Sequence, residues 1–155
     1  MTISPEYIAG FIDGEGYFGL VKKARKDCIG GYHYTPVLKI TQVTKHEKVL
    51  QEICNFIGYG IFWKSKKNYW KRVGKVNCSP ITSLEFRGMK RVIPIAKQLE
   101  PYLIVKKEQA RLLMKLEESQ IEITNKNREE IDSKRTEIYN QMRILNKRGL
   151  AETKR

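Results

Sequence analysis

Tyr7-Ile8-Ala9-Gly10-Phe11-Ile12-Asp13-Gly14-Glu15-Gly16, near the start of a 155-residue chain, is the segment around which the remaining elements arrange themselves. Its first half is apolar, with two small residues, Ala9 and Gly10, side by side. Its second half sets two carboxylates, Asp13 and Glu15, among glycines. Just upstream, Ser4 is suited to accept from the free amides of a helix start, and Pro5 has the φ of a first helical position. Gly14 and Gly16 suit a helix end, because glycine adopts the left-handed conformations common there. The expectation is a short helix of about two to three turns with two acids at its C-terminal tip. That tip carries partial negative charge, so carboxylates are unfavourable there unless something positive compensates. A bound divalent cation would do so, and small residues would let a second helix approach with its own acids. The plainer alternative is a helix end with solvated acids.

Downstream of Gly16 the pattern becomes strand-like. Residues 17–26 and 34–42 flank the turn-rich Asp27-Cys28-Ile29-Gly30-Gly31 and read as an antiparallel hairpin. Phe18, Leu20, Leu38 and Ile40 take its core side; Tyr17, Gly19, Val21, Lys23, Arg25, Lys39 and Thr41 take its wet side. Thr44-Lys45-His46-Glu47 fits a capping box opening a helix that buries Val49, Leu50, Ile53, Phe56 and Ile57 and closes at Gly58. A second hairpin follows, with arms at about 60–67 and 75–87 and a tip rich in Lys66, Lys67, Lys71 and Arg72 around Tyr69 and Trp70. Residues 89–99 have helical period, with Pro94 expected to break, kink or begin the main part and Pro101 to stop it. Amphipathic helices are expected over 107–118, with Ala110, Leu113, Met114 and Glu117 marking a stripe, and over 128–147, with Ile131, Ile138, Met142 and Leu145 as the seam.

Thirty Lys+Arg against 17 Asp+Glu give a net charge of +13. Sixteen of the basic and only four of the acidic residues lie between Lys22 and Arg91, so both hairpins are strongly positive. Such a balance speaks of polyanionic partners and not of fold. Basic residues with aromatics between them on one sheet face suit DNA: charge neutralises phosphates while alternate side chains reach base edges. By alternation Lys23, Arg25, Lys39, Trp63, Ser65, Glu85 and Arg87 occupy that face, and Lys66, Lys67, Lys71 and Arg72 touch backbone. The bland reading is a solvated basic edge that discourages aggregation. Cys28, Cys54 and Cys78 are odd in number and widely spaced, which fits reduced thiols of an intracellular protein, in a prokaryotic cytoplasm or an organelle. They make a poor zinc set, with only His33 and His46 as partners. No apolar run approaches membrane-spanning length.

The string Ile8 to Gly16 resembles the signature of LAGLIDADG homing endonucleases, matching at Ala9, Gly10, Ile12, Asp13 and Gly16 and conservatively at Ile8, Phe11 and Glu15. It occurs once, which is similar to the single-motif subclass that works as a homodimer. The resemblance implies an α+β fold of order αββαββα, here with extra C-terminal helices, in one domain spanning 1–155. It implies a saddle-shaped antiparallel sheet gripping double-stranded DNA, and motif helices that pair through Ile8, Ala9, Gly10, Phe11 and Asp13.

It also implies site roles. Glu15 matches the metal-binding acid, usually Asp in the family; the longer side chain keeps the ligand chemistry but changes the reach. Gly14 matches the position whose backbone carbonyl helps hold metal, expected as Mg²⁺, with Mn²⁺ or Ca²⁺ able to occupy the same sites. Asp13 matches the second acid, for which hydrogen bonding to backbone groups at the helix end or on the partner helix is favoured over metal contact. Gln42 matches the residue that orients the attacking water, His46 a basic member of the water network, and Lys106 the active-site lysine, with Lys107 a competitor in register. The activity so implied is site-specific double-strand cleavage by an intron-encoded enzyme at a long pseudo-palindromic site. The rivals are an RNA maturase, with intron RNA as partner, and a DNA-binding regulator of the same fold that does not cut.

Overall fold

The computed structural model describes residues 3–65, 79–121, 123 and 127–147. Its first helix, α1 (Pro5–Glu15), starts as expected: the Ser4 side chain accepts from the Tyr7 amide. Its end differs from expectation. Gly14 is still helical, and Gly16 caps the helix in extended backbone, φ −91°. Glycine is required there for space: a Cβ at Gly16 would lie 2.7 Å from the carbonyl oxygen of Ile12.

Strands β1 (Gly16–Ala24) and β2 (Tyr32–Val43) form the first hairpin. β3 (Ile61–Lys64) and β4 (Ile81–Arg87) form the second, and the antiparallel sheet has the order β1-β2-β4-β3. The intervening helix α2 (Lys48–Ile57) closes on Gly58 with φ 95°, the left-handed end expected of a glycine. The capping box at its start does not form. Thr44–His46 is a 3₁₀ turn, and Glu47 turns to Lys64 and the Thr82 hydroxyl on the second hairpin. Those hydrogen bonds, Lys64 first, hold the Glu47 carboxyl below the usual carboxylate range.

Three helices complete the chain: α3 (Met89–Leu99), α4 (Lys107–Ile121) and α5 (Arg128–Leu145). α3 runs through Pro94, which faces solvent on the side opposite Val92, Ile93 and Ala96, so the carbonyl freed by the missing N–H lies toward water. α4 buries Gln109, Ala110, Leu112, Leu113, Leu116 and Ser119, so Ala110 and Leu113 of the expected stripe are buried while Met114 and Glu117 are only partly so. The buried arc is displaced because the helix touches both α3 and α5. In α5, Ile131, Ile138 and Met142 are buried as expected, Leu145 is not, and Arg135 joins them unforeseen. The core lies between one face of the sheet (Phe18, Leu38, Ile40, Leu84, Phe86) and the helices (Ile8, Ile12, Leu50, Ile53, Ile93, Leu99, Leu113). All of these are essentially inaccessible. At roughly 1.5–3 kcal/mol per buried large side chain, this one cluster supplies the main favourable term of the fold. The other face of the sheet carries no covering element among the described residues.

Candidate functional site

α1 is the organising helix of the site because its two sides and its tip have different surroundings. Ile8, Ala9 and Ile12 are fully buried in the chain's own core. This corrects the expectation for Ile8 and Ala9, whose side chains no second copy can reach. Their arc of the helix is the one that packs on β1, β2 and α3. The opposite arc is open. Tyr7 is 44% exposed, Phe11 is half-buried beneath it with ring centroids 6.2 Å apart, and a Cβ placed on Gly10 or Gly14 would meet nothing within 4 Å. Beside this arc stand Ile104 and Val105, 86% and 69% exposed.

The tip is fastened by Asp13. Its carboxylate accepts from the backbone amides of Ile104 at 2.7 Å and Lys106 at 2.9 Å, so the turn before α4 is pinned to the end of α1. Lys106 then folds back, and its ammonium donates to the backbone carbonyl of Asp13. A cation is thus held at the negative end of the helix, the compensation that the sequence demanded. Asp13 thus hydrogen-bonds backbone of its own chain, in keeping with the backbone-bonding part expected for it; the resemblance also implied a place at the dimer interface. Glu15, the last helical residue, is exposed, as is Gly14.

Glu15 and Lys106 are therefore brought to one tip. Gln42 lies at the same end of the sheet, two residues beyond Ile40, which pairs with Gly16. It shares the parity of Leu38 and Ile40 at the rim of the helix side, and its Oε1 accepts from the Val43 amide at 2.8 Å, a bond that does not use its Nε2 donors. His46 is exposed at the end of the following 3₁₀ turn. Among the described residues of one chain, no three His, Cys, Asp or Glu form a metal-holding group.

The uncovered face of the sheet begins where α1 ends. Its rows follow from the register: Tyr17, Lys39, Glu85 and Ile61 form one, Thr41, Ser83 and Trp63 the next, and Gly19, Val37 and Arg87 that on the other side. Lys23 lies farther out, opposite His33. The Lys39 ammonium stands 5.8 Å from the Trp63 ring, and Glu85 is ion-paired with Arg87. Two of the expected residues have partners within the chain. Arg25 is beyond the end of β1, in the turn, paired with Asp27 at 2.9 Å. Ser65 spends its hydroxyl on the Ile81 amide at 3.0 Å and its own amide on the Ile81 carbonyl, extending the β3–β4 ladder. Lys66, Lys67, Lys71 and Arg72 lie outside the described residues.

Sequence reasoning assigned no role to Tyr17 or to the Thr41–Ser83 pair. Tyr17 lies over Gly19, where a Cβ would come within 2.3 Å of its hydroxyl oxygen; the Gly19 two residues after an aromatic was the available signal. The Thr41 and Ser83 hydroxyls are 2.9 Å apart across β2 and β4, a pairing visible only once the register is known. Nor was the exposure of Ile104 and Val105 foreseen, because an apolar run reads as core.

Comparison with known proteins places this arrangement. The family model for LAGLIDADG endonucleases matches residues 8–109, from the motif helix through the start of α4, and the chain belongs to that family. No curated protein matches it closely enough to count. Among solved structures, it is similar to the homing endonuclease I-CvuI in complex with a DNA target (TM-score 0.71, 19% identity, 96% of this chain and 85% of that one). It is similar also to the homing endonuclease I-TnaI (0.68, 21%, 92% and 89%). A third is the group I intron-encoded homing endonuclease I-CeuI, complexed with DNA (0.69, 18%, 97% and 71%). At these identities the likeness establishes the fold, that of the LAGLIDADG endonucleases.

Proposed function

We propose that two copies of this chain pair through the open arc of α1 and act as a divalent-metal-dependent endonuclease on duplex DNA. The observation that carries the reading is the tip of α1, where Asp13 pins the 104–106 turn and the Lys106 ammonium is held on the Asp13 carbonyl, at the helix end that also carries the exposed Glu15. The basic, uncovered sheet face leads directly out of this tip through Gly16 and supplies the surface for phosphates and base edges.

The donor set fits a hard cation. Glu15 offers carboxylate oxygens, and the helix end offers backbone carbonyls, Gly14's among them, at its negative pole. Among the described residues one protomer holds no group of three His, Cys, Asp or Glu, so the partner's Glu15, phosphate oxygens and water would complete the set. Bound there, Mg²⁺ would lower the pKa of a water and neutralise charge on the scissile phosphate. The protein's own contributions are separate. Lys106 stands ready to stabilise the added negative charge of the transition state, since it is fixed before substrate arrives and needs no reorganisation. Gln42, whose Oε1 is taken by the Val43 amide, keeps Nε2 donors able to orient a water by hydrogen bonding. Tyr7, Gly10, Phe11, Gly14, Ile104 and Val105 bring two tips together, so that each strand of the duplex meets one set of Lys106 and Gln42.

The test is incubation of the purified chain with plasmid carrying its uninterrupted host locus, with Mg²⁺ and with EDTA. Metal-dependent linear product with one cut position on each strand is expected, and Glu15→Gln should abolish it while plasmid is still retarded in a gel. Retardation without cutting by the unmodified chain would overturn the nuclease reading; cutting by Glu15→Gln would overturn the ligand assignment.

A further inference from the structure

We infer that Arg87 reads a guanine in the major groove and that Glu85 is the residue that positions it, an inference that rests on the DNA-binding reading of the sheet face. The two side chains are neighbours on the uncovered side of β4, two residues apart. Arg87 Nε donates to Glu85 Oε1. This bond uses the one N–H of the guanidinium that points back along its stem and leaves both terminal nitrogens free. Their forked edge matches the O6 and N7 acceptors of guanine and repels the N6 amino group of adenine.

Three features of the surroundings favour this assignment. First, Glu85 is the more buried partner, its side chain 20% exposed against 48% for Arg87, and it lies in register between Lys39 on β2 and Ile61 on β3. It is the fixed member and Arg87 the reaching one. Second, Arg87 has no competitor along its own row. Its neighbours there are Val37 and Gly19, and the Gly19 position is overlain by Tyr17, so the guanidinium rises from an apolar floor. Third, Glu85 is the single carboxylate on the uncovered face among the described residues. A lone carboxylate facing a polyanion is repelled, whereas a carboxylate spent on an arginine is neutralised and stiffens it. Lys39, by contrast, presents a single compact charge near Trp63, a geometry suited to phosphate. The competing possibility is that Glu85 itself accepts from the N4 amino group of cytosine, with Arg87 only a counter-ion.

The experiment is selection of bound duplexes from a randomised DNA library in metal-free buffer by the unmodified full chain and by Arg87→Ala, Arg87→Lys, Glu85→Gln and Glu85→Ala. Thermal unfolding of each checks that it is folded. The unmodified chain should enrich guanine at one position of each half-site, by roughly tenfold to hundredfold over other bases. Arg87→Ala should erase that preference, Arg87→Lys should leave a fraction of it, and both Glu85 variants should weaken it at the same base pair. A structural role for Glu85 would instead lower unfolding temperature or affinity without changing the base profile, and that result would overturn the inference. So would guanine preference surviving Arg87→Ala, or loss of a cytosine preference in the Glu85 variants alone. Selection of sequence without any guanine dependent on Arg87 refutes the inference and leaves the DNA-binding reading standing. Failure of the unmodified chain to retain duplex overturns both.

Discussion

Asp13→Ala separates a structural clamp from the other roles open to a motif acid. The substitution removes a charged acceptor from two backbone amides, those of Ile104 and Lys106. Hydrogen bonds to charged groups contribute about 1.5–3 kcal/mol each, but the two losses are unequal. The Ile104 amide is exposed and finds water; that of Lys106 is half-buried and is left to bear most of the desolvation penalty. Against this, removing a carboxylate from a helix C-terminus relieves roughly 0.3–1 kcal/mol. The net destabilisation is about 2 kcal/mol, which for a chain of this length lowers the unfolding midpoint by about 4–8 °C. Calorimetry at matched protein concentration measures it, since any dimer makes the midpoint concentration-dependent. Lys106 is anchored through the same turn, so DNA cleavage should fall further than DNA binding. A midpoint within about 1 °C of the unmodified chain would refute the clamp. It would return Asp13 to an interface or metal role.

Three further perturbations follow from the same geometry. Gly10→Leu should fold normally, because a Cβ there meets nothing in the chain, yet sediment as a monomer; an unchanged dimer would exclude this arc as the interface. Gly16→Ala should destabilise by about 1–3 kcal/mol because its Cβ collides with the Ile12 backbone, whereas Gly14→Ala, in open space, should change stability by less than about 1 kcal/mol in unfolding experiments. Glu47, with its folded pKa depressed by Lys64 and Thr82, contributes stability that is present above the ordinary carboxylate value and lost as pH falls through its lowered one. Glu47→Gln should therefore unfold at lower temperature at neutral pH, and the gap to the unmodified chain should close at strongly acidic pH; a gap independent of pH would contradict the linkage.

What the sequence yielded was local, and what it withheld was contact across distance. The start of α1 was legible because Ser4 and Pro5 act on amides within one turn. β2 was legible because Leu38 and Ile40 alternate with Lys39 and Thr41, and the glycine end of α2 because Gly58 has one conformational purpose. The capping box failed because Glu47 had competing partners at Lys64 and Thr82, 17 and 35 residues away. The role of Asp13 depended on amides 91 and 93 residues distant, which no spacing rule reveals. Ile8 and Ala9 were misplaced for a related reason. Periodicity divides a helix into arcs, but it does not say which arc faces the chain's own sheet when both are apolar or small. Within the site, Glu15 and Lys106 were put forward through resemblance to the family and the shared face of Glu85 and Arg87 through alternation along β4, while the Thr41–Ser83 pair needed the register.

The same division of α1 explains why assembly and chemistry belong to one element. Its inner arc is committed to the core, so the helix cannot shift along the sheet without unpacking Ile8 and Ile12. Its outer arc is small at Gly10 and Gly14, which on the proposed reading would let another helix come close enough for two tips to share a cation. In an isolated protomer the tip holds Asp13, Glu15 and the unpaired carbonyls of a helix end, with Lys106 engaged on one of those carbonyls. In the proposed dimer, joining two such tips would double the negative charge at a single point, a repulsion that the open arc has to outweigh and that a bound divalent cation would lessen. On the proposed reading, dimer and metal centre would be coupled through charge: a cation bound between the tips would serve hydrolysis and also relieve the repulsion that pairing creates.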